Sequence, residues 1–206
     1  MDVSRPYTAL GPTLDTGVLS VLAGTTRPLT GREIARLLGR HSHSGVLDAL
    51  HRLTEHGLVD REEAGRAFLF ALNREHLAAP AAELLARMGG EFFNRLAEAI
   101  DSWEIEAVHV SLFGSMARGD GDTSSDIDLF IVRPEGVERE DAHWREQLDL
   151  LARKVQRWTG NQAGVAEVGK AELSQLRERD PLIVNELRAD AVTVAGPEAA
   201  TLLGDT

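Results

Sequence analysis

Apolar positions in the first third of the chain follow a helical spacing. Leu14, Val18, Leu19, Val21 and Leu22 predict a short helix over residues 14–23. Before it, Pro6, Gly11 and Pro12 break any pattern, and residues 1–12 read as a frayed leader. After a turn from Gly24 to Pro28, Thr30 is followed three positions later by Glu33, the two halves of a capping box. Ile34, Ala35, Leu37 and Leu38 form the apolar face of that second helix, and Gly39 ends it. Ser42 or Ser44 caps a third helix, with Val46, Leu47, Leu50 and Leu53 on one face and Gly57 as its stop. Two short runs, 58–61 and 67–72, flank a turn that contains Gly65, which is the pattern of a β-hairpin.

The stripe then changes scale. Leu84, Leu85, Met88, Phe92, Leu96, Ile100 and Trp103 keep helical spacing, but Gly89-Gly90 falls inside it and predicts a kink or two helices. Residues 108–113 read as a strand, and Ile127, Leu129 and Ile131 share one side of another. Trp144, Leu148, Leu151, Val155 and Trp158 mark one buried helix face within 138–159, with the tryptophans as core rather than as a base-stacking platform. A strand over 164–168 and a helix over 170–179 follow. Asp180-Pro181 opens another helix through Arg188, residues 192–194 make an edge strand, and 197–206 read as a flexible tail. The expected division is 1–78, linking helices over 79–104, a second domain over 105–196, and the tail.

Composition narrows the classes. The 206 residues include no cysteine, which removes disulfides, thiolate metal sites and cysteine nucleophiles. No secretory leader and no bilayer-length apolar run is visible, so a cytoplasmic protein with no membrane role is the expectation. The net charge of −11 is uneven: residues 27–76 hold eight arginines against seven acids, leaving the rest at −12. The first half is therefore the part that nucleic acid does not repel.

The candidate chemistry lies in residues 111–132. An apolar strand ends at Gly114-Ser115, a position where unpaired amides and a helix dipole attract phosphate oxygens. The Ser115 hydroxyl can donate to a phosphate, and Arg118 lies three residues on, on the same helix face. Ser125 precedes Asp126 and Asp128, whose side chains share one strand face roughly 7 Å apart. Two carboxylates so spaced, with substrate phosphates, suit a pair of oxygen-loving divalent ions. Asp120, Asp122, Ser124 and Asp126 alternate like a calcium loop, but Ser125 stands where its glycine belongs and Ile131 where its glutamate belongs. The adhesion-like tripeptide from Arg118 to Asp120 is a chance match. The histidines, five of seven within 27–76, have no zinc spacing.

Gly114-Ser115, Arg118-Gly119 and Ser125-Asp126-Ile127-Asp128-Leu129 together resemble the nucleotidyltransferases of the DNA polymerase β superfamily, and most of all the minimal, antitoxin-like ones. Residues 29–59, with the hairpin after them, resemble the winged-helix regulators of bacteria. The implied fold class is α+β: an N-terminal winged helix-turn-helix, then a polymerase-β-like domain with a small mixed sheet flanked by helices. The implied reaction is transfer of NMP, with AMP expected, from NTP to a hydroxyl on a protein, RNA or small molecule. The implied cofactor is two Mg2+ ions held by Asp126 and Asp128, with the nucleotide on Gly114, Ser115, Arg118 and Ser125. The acceptor is open, and a partner toxin protein is one option that the resemblance raises.

The resemblance also implies a third carboxylate on the following strand. Glu167 is the one acid there, yet alignment through Glu172-Leu173 puts Ala166 at the expected position, with Glu167 facing away. Either a bulge brings Glu167 in as a third catalytic residue, or the third carboxylate is absent. In the second case the chain reads instead as a DNA-binding regulator that binds nucleotide without turnover. DNA contacts would come from Arg40, Ser44, Arg52, Arg61 and Arg66. Asp48, Glu55, Glu62 and Glu63 share the same elements, which leaves a protein-docking or homodimerisation surface as the other use of this module.

Overall fold

The computed structural model describes residues 1–3, 5–10, 13–39, 41–119 and 124–204, and all but the side chain of Arg177 within them. Its contacts separate two units: Arg5–Gly90, and Glu91–Thr206 together with Met1–Ser4.

The first unit begins with a 3-10 turn over Pro6–Ala9, then α1 (Leu14–Ala23), β1 (Leu29–Thr30), α2 (Gly31–Leu38), α3 (His43–Glu55), β2 (Val59–Ala64) and β3 (Ala67–Leu72). The capping box at α2 is complete: Glu33 N–H donates to Thr30 Oγ1 at 3.3 Å, and Thr30 N–H donates to Glu33 Oε2 at 2.8 Å. Ser42, not Ser44, caps α3 by accepting from Gly45 N–H. β1 is a strand that the pattern does not predict; Leu29 and Thr30 pair with Phe70 and Leu69, giving the sheet order β1-β3-β2. Val18, Leu22, Ile34, Val46, Leu50 and Phe70 fill the core beneath. Among the described residues of the expected frayed leader, Tyr7 is buried, and Val3 lies in the core of the second unit, to which Met1–Ser4 belongs.

α4 (Ala79–Asp101) runs unbroken through Gly89-Gly90. The two glycines cost helix propensity of about 1 kcal/mol each. Burial of Ala79 and Ala82 in one core and of Phe92, Leu96 and Ile100 in another offsets that cost, so no interruption forms.

The second unit adds β4 (His109–Phe113), α5 (Gly114–Arg118), β5 (Ile127–Arg133), α6 (Ala142–Thr159), β6 (Ala163–Gly169), α7 (Leu173–Arg179), α8 (Pro181–Asp190), β7 (Val192–Ala195) and α9 (Ala199–Leu203). The sheet is mixed, in the order β6-β5-β4-β7, with β5 and β6 parallel. That parallel step needs a crossover, which α6 supplies. One sheet face, with Val110, Leu112, Ile127, Leu129 and Ile131, packs on Phe92, Leu96 and the Trp144–Leu148–Leu151–Val155 stripe. The other, with Phe113, Phe130 and Val132, packs on Val184, Leu187 and Leu203. The expected tail therefore contains a short helix whose Ala199 and Leu203 are buried, because an apolar sheet face needs that cover. Among the described residues no helix is long and apolar enough to cross a membrane.

Candidate active site

β4 ends at Phe113, and the chain turns into α5 at Gly114, whose φ of +71° is a conformation that L side chains rarely adopt. Phe113 pairs with Asp128 on β5, so the turn lies beside that carboxylate. A Cβ built on Gly114 would stand 2.5 Å from Asp128 Oδ2. On the other side Asp128 pairs with Gly164 of β6, where a Cβ would stand 2.9 Å from Oδ1. The carboxylate thus occupies a slot bounded by two glycines. Burial pushes the Asp128 carboxyl above its ordinary value of 3.8, the charges of Asp126 and Glu186 push it further, and Arg118 opposes them.

Asp126 precedes β5 and is exposed, next to half-buried Ser125. This approach to the strand is tied down from a distance: Asn161 Nδ2 donates to the Ser125 carbonyl at 2.7 Å, and Ile127 N–H donates to the Gln162 carbonyl at 2.8 Å. Ser115, half-buried, sits in the first turn of α5. Arg118 ends that helix, with its guanidinium 3.9 Å from Glu186 and 3.7 Å from Asp190 on α8. The structure therefore brings Gly114, Ser115, Arg118, Ser125, Asp126 and Asp128 to one end of β4 and β5. Asp120 and Asp122 lie outside the described residues.

Glu167 does not join them. Asp128 pairs with Gly164 and Phe130 with Ala166, so Ala166 lies on the Asp128 face and Glu167 on the opposite one. There its carboxylate, almost fully buried, is ion-paired with Arg133 and lies 3.1 Å from Arg139 Nε. The expectation of Glu167 as a catalytic carboxylate is corrected on this register: β6 is regular, and no bulge turns the side chain over.

Asp126 and Asp128 offer oxygen donors, with no imidazole or thiol between them. Among the described residues, no three carboxylates or imidazoles are grouped to hold a metal ion. That donor set fits a hard cation such as Mg2+, which keeps waters and substrate phosphates as its remaining ligands.

The residues expected at DNA are dispersed in their commitments. Arg52 is held by Asp15 of α1 at 2.5 Å. The Arg61 guanidinium lies 4.4 Å from the centre of the Phe68 ring. Ser44 Oγ lies 3.2 Å from Ser42 Oγ, and Arg66 is exposed at the hairpin turn. Arg40 lies outside the described residues.

Four positions were missed by sequence reasoning. Gly164 carries a local sign, a glycine inside a strand. Asn161, Glu186 and Asp190 carry none, because each acts across a long stretch of chain.

No curated protein matches the chain. A solved toxin–antitoxin structure with AMP-PNP is similar at 17% identity over 52% of this chain and 74% of that one, with a TM-score of 0.37. A mutant of the MntA–HpeT toxin–antitoxin is similar at 14% identity over the same shares, also with a TM-score of 0.37. A family model described as HVO_A0114 matches residues 15–76. Residues 94–190, which hold β4, α5, β5 and the aspartate pair, match the family model of the nucleotidyltransferase domain.

Proposed function

We propose that this protein is a divalent-metal-dependent nucleotidyltransferase that moves NMP from NTP to an acceptor hydroxyl. The observation that carries the reading is the Asp128 carboxylate between Gly114 and Gly164, with Asp126 two residues before it and the α5 turn alongside. In this reading Ser115 and the first amides of α5 bind triphosphate oxygens, and Arg118 supplies a cation at the mouth. Asp126 and Asp128 would hold Mg2+, which neutralises the triphosphate and lowers the pKa of the attacking hydroxyl. The acceptor hydroxyl gives its proton to solvent as its oxygen forms a bond to the α-phosphorus, the bond from that phosphorus to the oxygen bridging to the β-phosphorus breaks, and pyrophosphate leaves with that electron pair. The test supplies the full chain with labelled ATP, the other NTPs, Mg2+ and candidate protein, RNA or small hydroxylated acceptors. Label transfer that vanishes in Asp128→Asn supports the reading; no transfer and no pyrophosphate release with any pair counts against it.

One observation favours a second reading. Ala166 occupies the face where a third carboxylate would stand, so the domain could bind nucleotide without turning it over. The first unit, with three helices and a hairpin, then acts as a winged helix on DNA or on a protein. This reading predicts salt-sensitive binding to its own upstream DNA, altered by NTP, in the absence of any transfer.

A further inference from the structure

A cavity lies wholly within the first unit, between the start of α2, the start of α3 and the hairpin. It encloses about 440 Å3, within the range of small-ligand sites. Gly31, Leu47 and Phe70 form an apolar floor; Arg32, His43 and Arg66 stand around it, and Phe68, 41% exposed, lines one side. No carboxylate lines it.

The cations there differ from their neighbours. Arg27 is paired with Glu33, Arg52 with Asp15, and Arg74 with Glu83. Among the described residues no carboxylate pairs with Arg32, His43 or Arg66. Arg61, over the Phe68 ring, adds another positive charge beside the opening. Outside the cavity the sign changes: Asp48 and Glu55 are exposed on α3, and Asp60, Glu62 and Glu63 along β2. A long phosphate backbone laid over this face would meet those acids, whereas a single anion seated in the cavity meets none of them. The apolar floor and the exposed phenyl ring favour an anion with a flat aromatic body, and the guanidinium forks favour a phosphate.

We propose that this cavity binds a nucleotide: a base against Phe68 and Leu47, and a phosphate between Arg32, His43 and Arg66. The same chemistry is offered by a free mononucleotide and by one nucleotide of a strand. The inference is independent of the transferase reading.

The test uses the full chain carrying Asp126→Asn and Asp128→Asn, in EDTA, so that the aspartate site does not contribute. Titration with AMP, ATP, and single-stranded and duplex oligonucleotides follows binding by calorimetry or anisotropy. Saturable binding is expected, weakened about tenfold or more by Arg32→Gln with Arg66→Gln and by cavity-filling Ala67→Trp at an exposed position, and unchanged by Arg87→Gln on exposed α4 surface. Circular dichroism and Tm confirm that each variant folds. Binding by AMP or ATP assigns the free nucleotide as the source; binding by a strand alone, with the same dependence on Arg32 and Arg66, assigns a nucleotide within it. The proposal is overturned if no probe binds saturably, if binding ignores the Arg32 and Arg66 changes, or if only duplex binds and Arg87→Gln weakens it equally.

Discussion

Gly114 and Asp128 are matched in shape: the missing side chain of the first is the space that Oδ2 of the second occupies, 2.5 Å from where a Cβ would fall. Gly114→Ala therefore brings two penalties. The φ of +71° strains an alanine by about 1–2 kcal/mol, and the methyl group drives the carboxylate out of its slot. A displacement near 1 Å at a reacting centre costs about 100-fold in rate. The expected outcome is a folded protein with transfer reduced by about 100-fold, read from initial rates beside a melting curve. A Gly114→Ala enzyme with ordinary turnover would show that Asp128 does not work in the position seen here.

Glu167 gives the opposite expectation. Its buried carboxylate balances Arg133, which is itself 9% exposed, on the sheet face away from the aspartates. Breaking a buried pair leaves an uncompensated charge and costs about 3–5 kcal/mol. Glu167→Ala should lower Tm by many degrees, and Glu167→Gln by less, while transfer per folded molecule stays within about twofold for the glutamine variant. Loss of transfer in Glu167→Gln comparable to that in Asp128→Asn, at unchanged Tm, would return Glu167 to the site.

These two residues also show what the sequence made legible. Gly-Ser at a strand end and Asp-x-Asp at the next were enough to place Asp128, whereas strand alternation raised Ala166 for its face and still left Glu167 open as a catalytic residue, until the β5–β6 register decided against it. A local signal was also enough at α2: Thr30 and Glu33 form the capping box that their spacing predicts. The rest depended on distant partners. Leu29-Thr30 is a strand only because Phe70 and Leu69 pair with it. Arg52 looks available for phosphate until Asp15, from another helix, takes it. Gly89-Gly90 should weaken a helix, and packing on either side overrides that preference. Ala199–Leu203 has no strong pattern of its own, and forms because Leu203 covers Phe130 and Val132.

Asn161 is a positioning residue with a separable effect. It is buried, and its amide holds the Ser125 carbonyl one residue before Asp126. Asn161→Ala frees that backbone and removes a partly buried hydrogen bond, at about 1 kcal/mol of stability. Residues that orient metal ligands in this indirect way change affinity by about 10-fold or more when removed. The expected result is a raised Mg2+ requirement and a raised KM for NTP, with kcat at saturating metal largely kept. A drop in kcat alone, with unchanged metal dependence, would remove Asn161 from this role.

His109 sets an acid limit on the fold. Its ring is buried beside Phe130, with Nδ1 2.7 Å from the Pro197 carbonyl and Nε2 2.9 Å from Ser111 Oγ. Since a carbonyl only accepts, Nδ1 carries the proton, and in the neutral ring Nε2 accepts from the Ser111 hydroxyl. Burial pushes the imidazole below its ordinary value of 6.5, with the Pro197 contact and Glu198 opposing. The folded state then resists a proton that the unfolded chain takes up readily. The neutral ring's contribution is complete above about pH 6.5 and is lost as pH falls from there toward the folded-state value. Melting temperatures recorded from pH 7.5 downward should fall through that window in the parent chain. In His109→Gln, Tm should be lower at pH 7.5 and the fall across the window shallower, because the titrating group is gone. An equally steep fall in His109→Gln would assign the acid sensitivity to other groups.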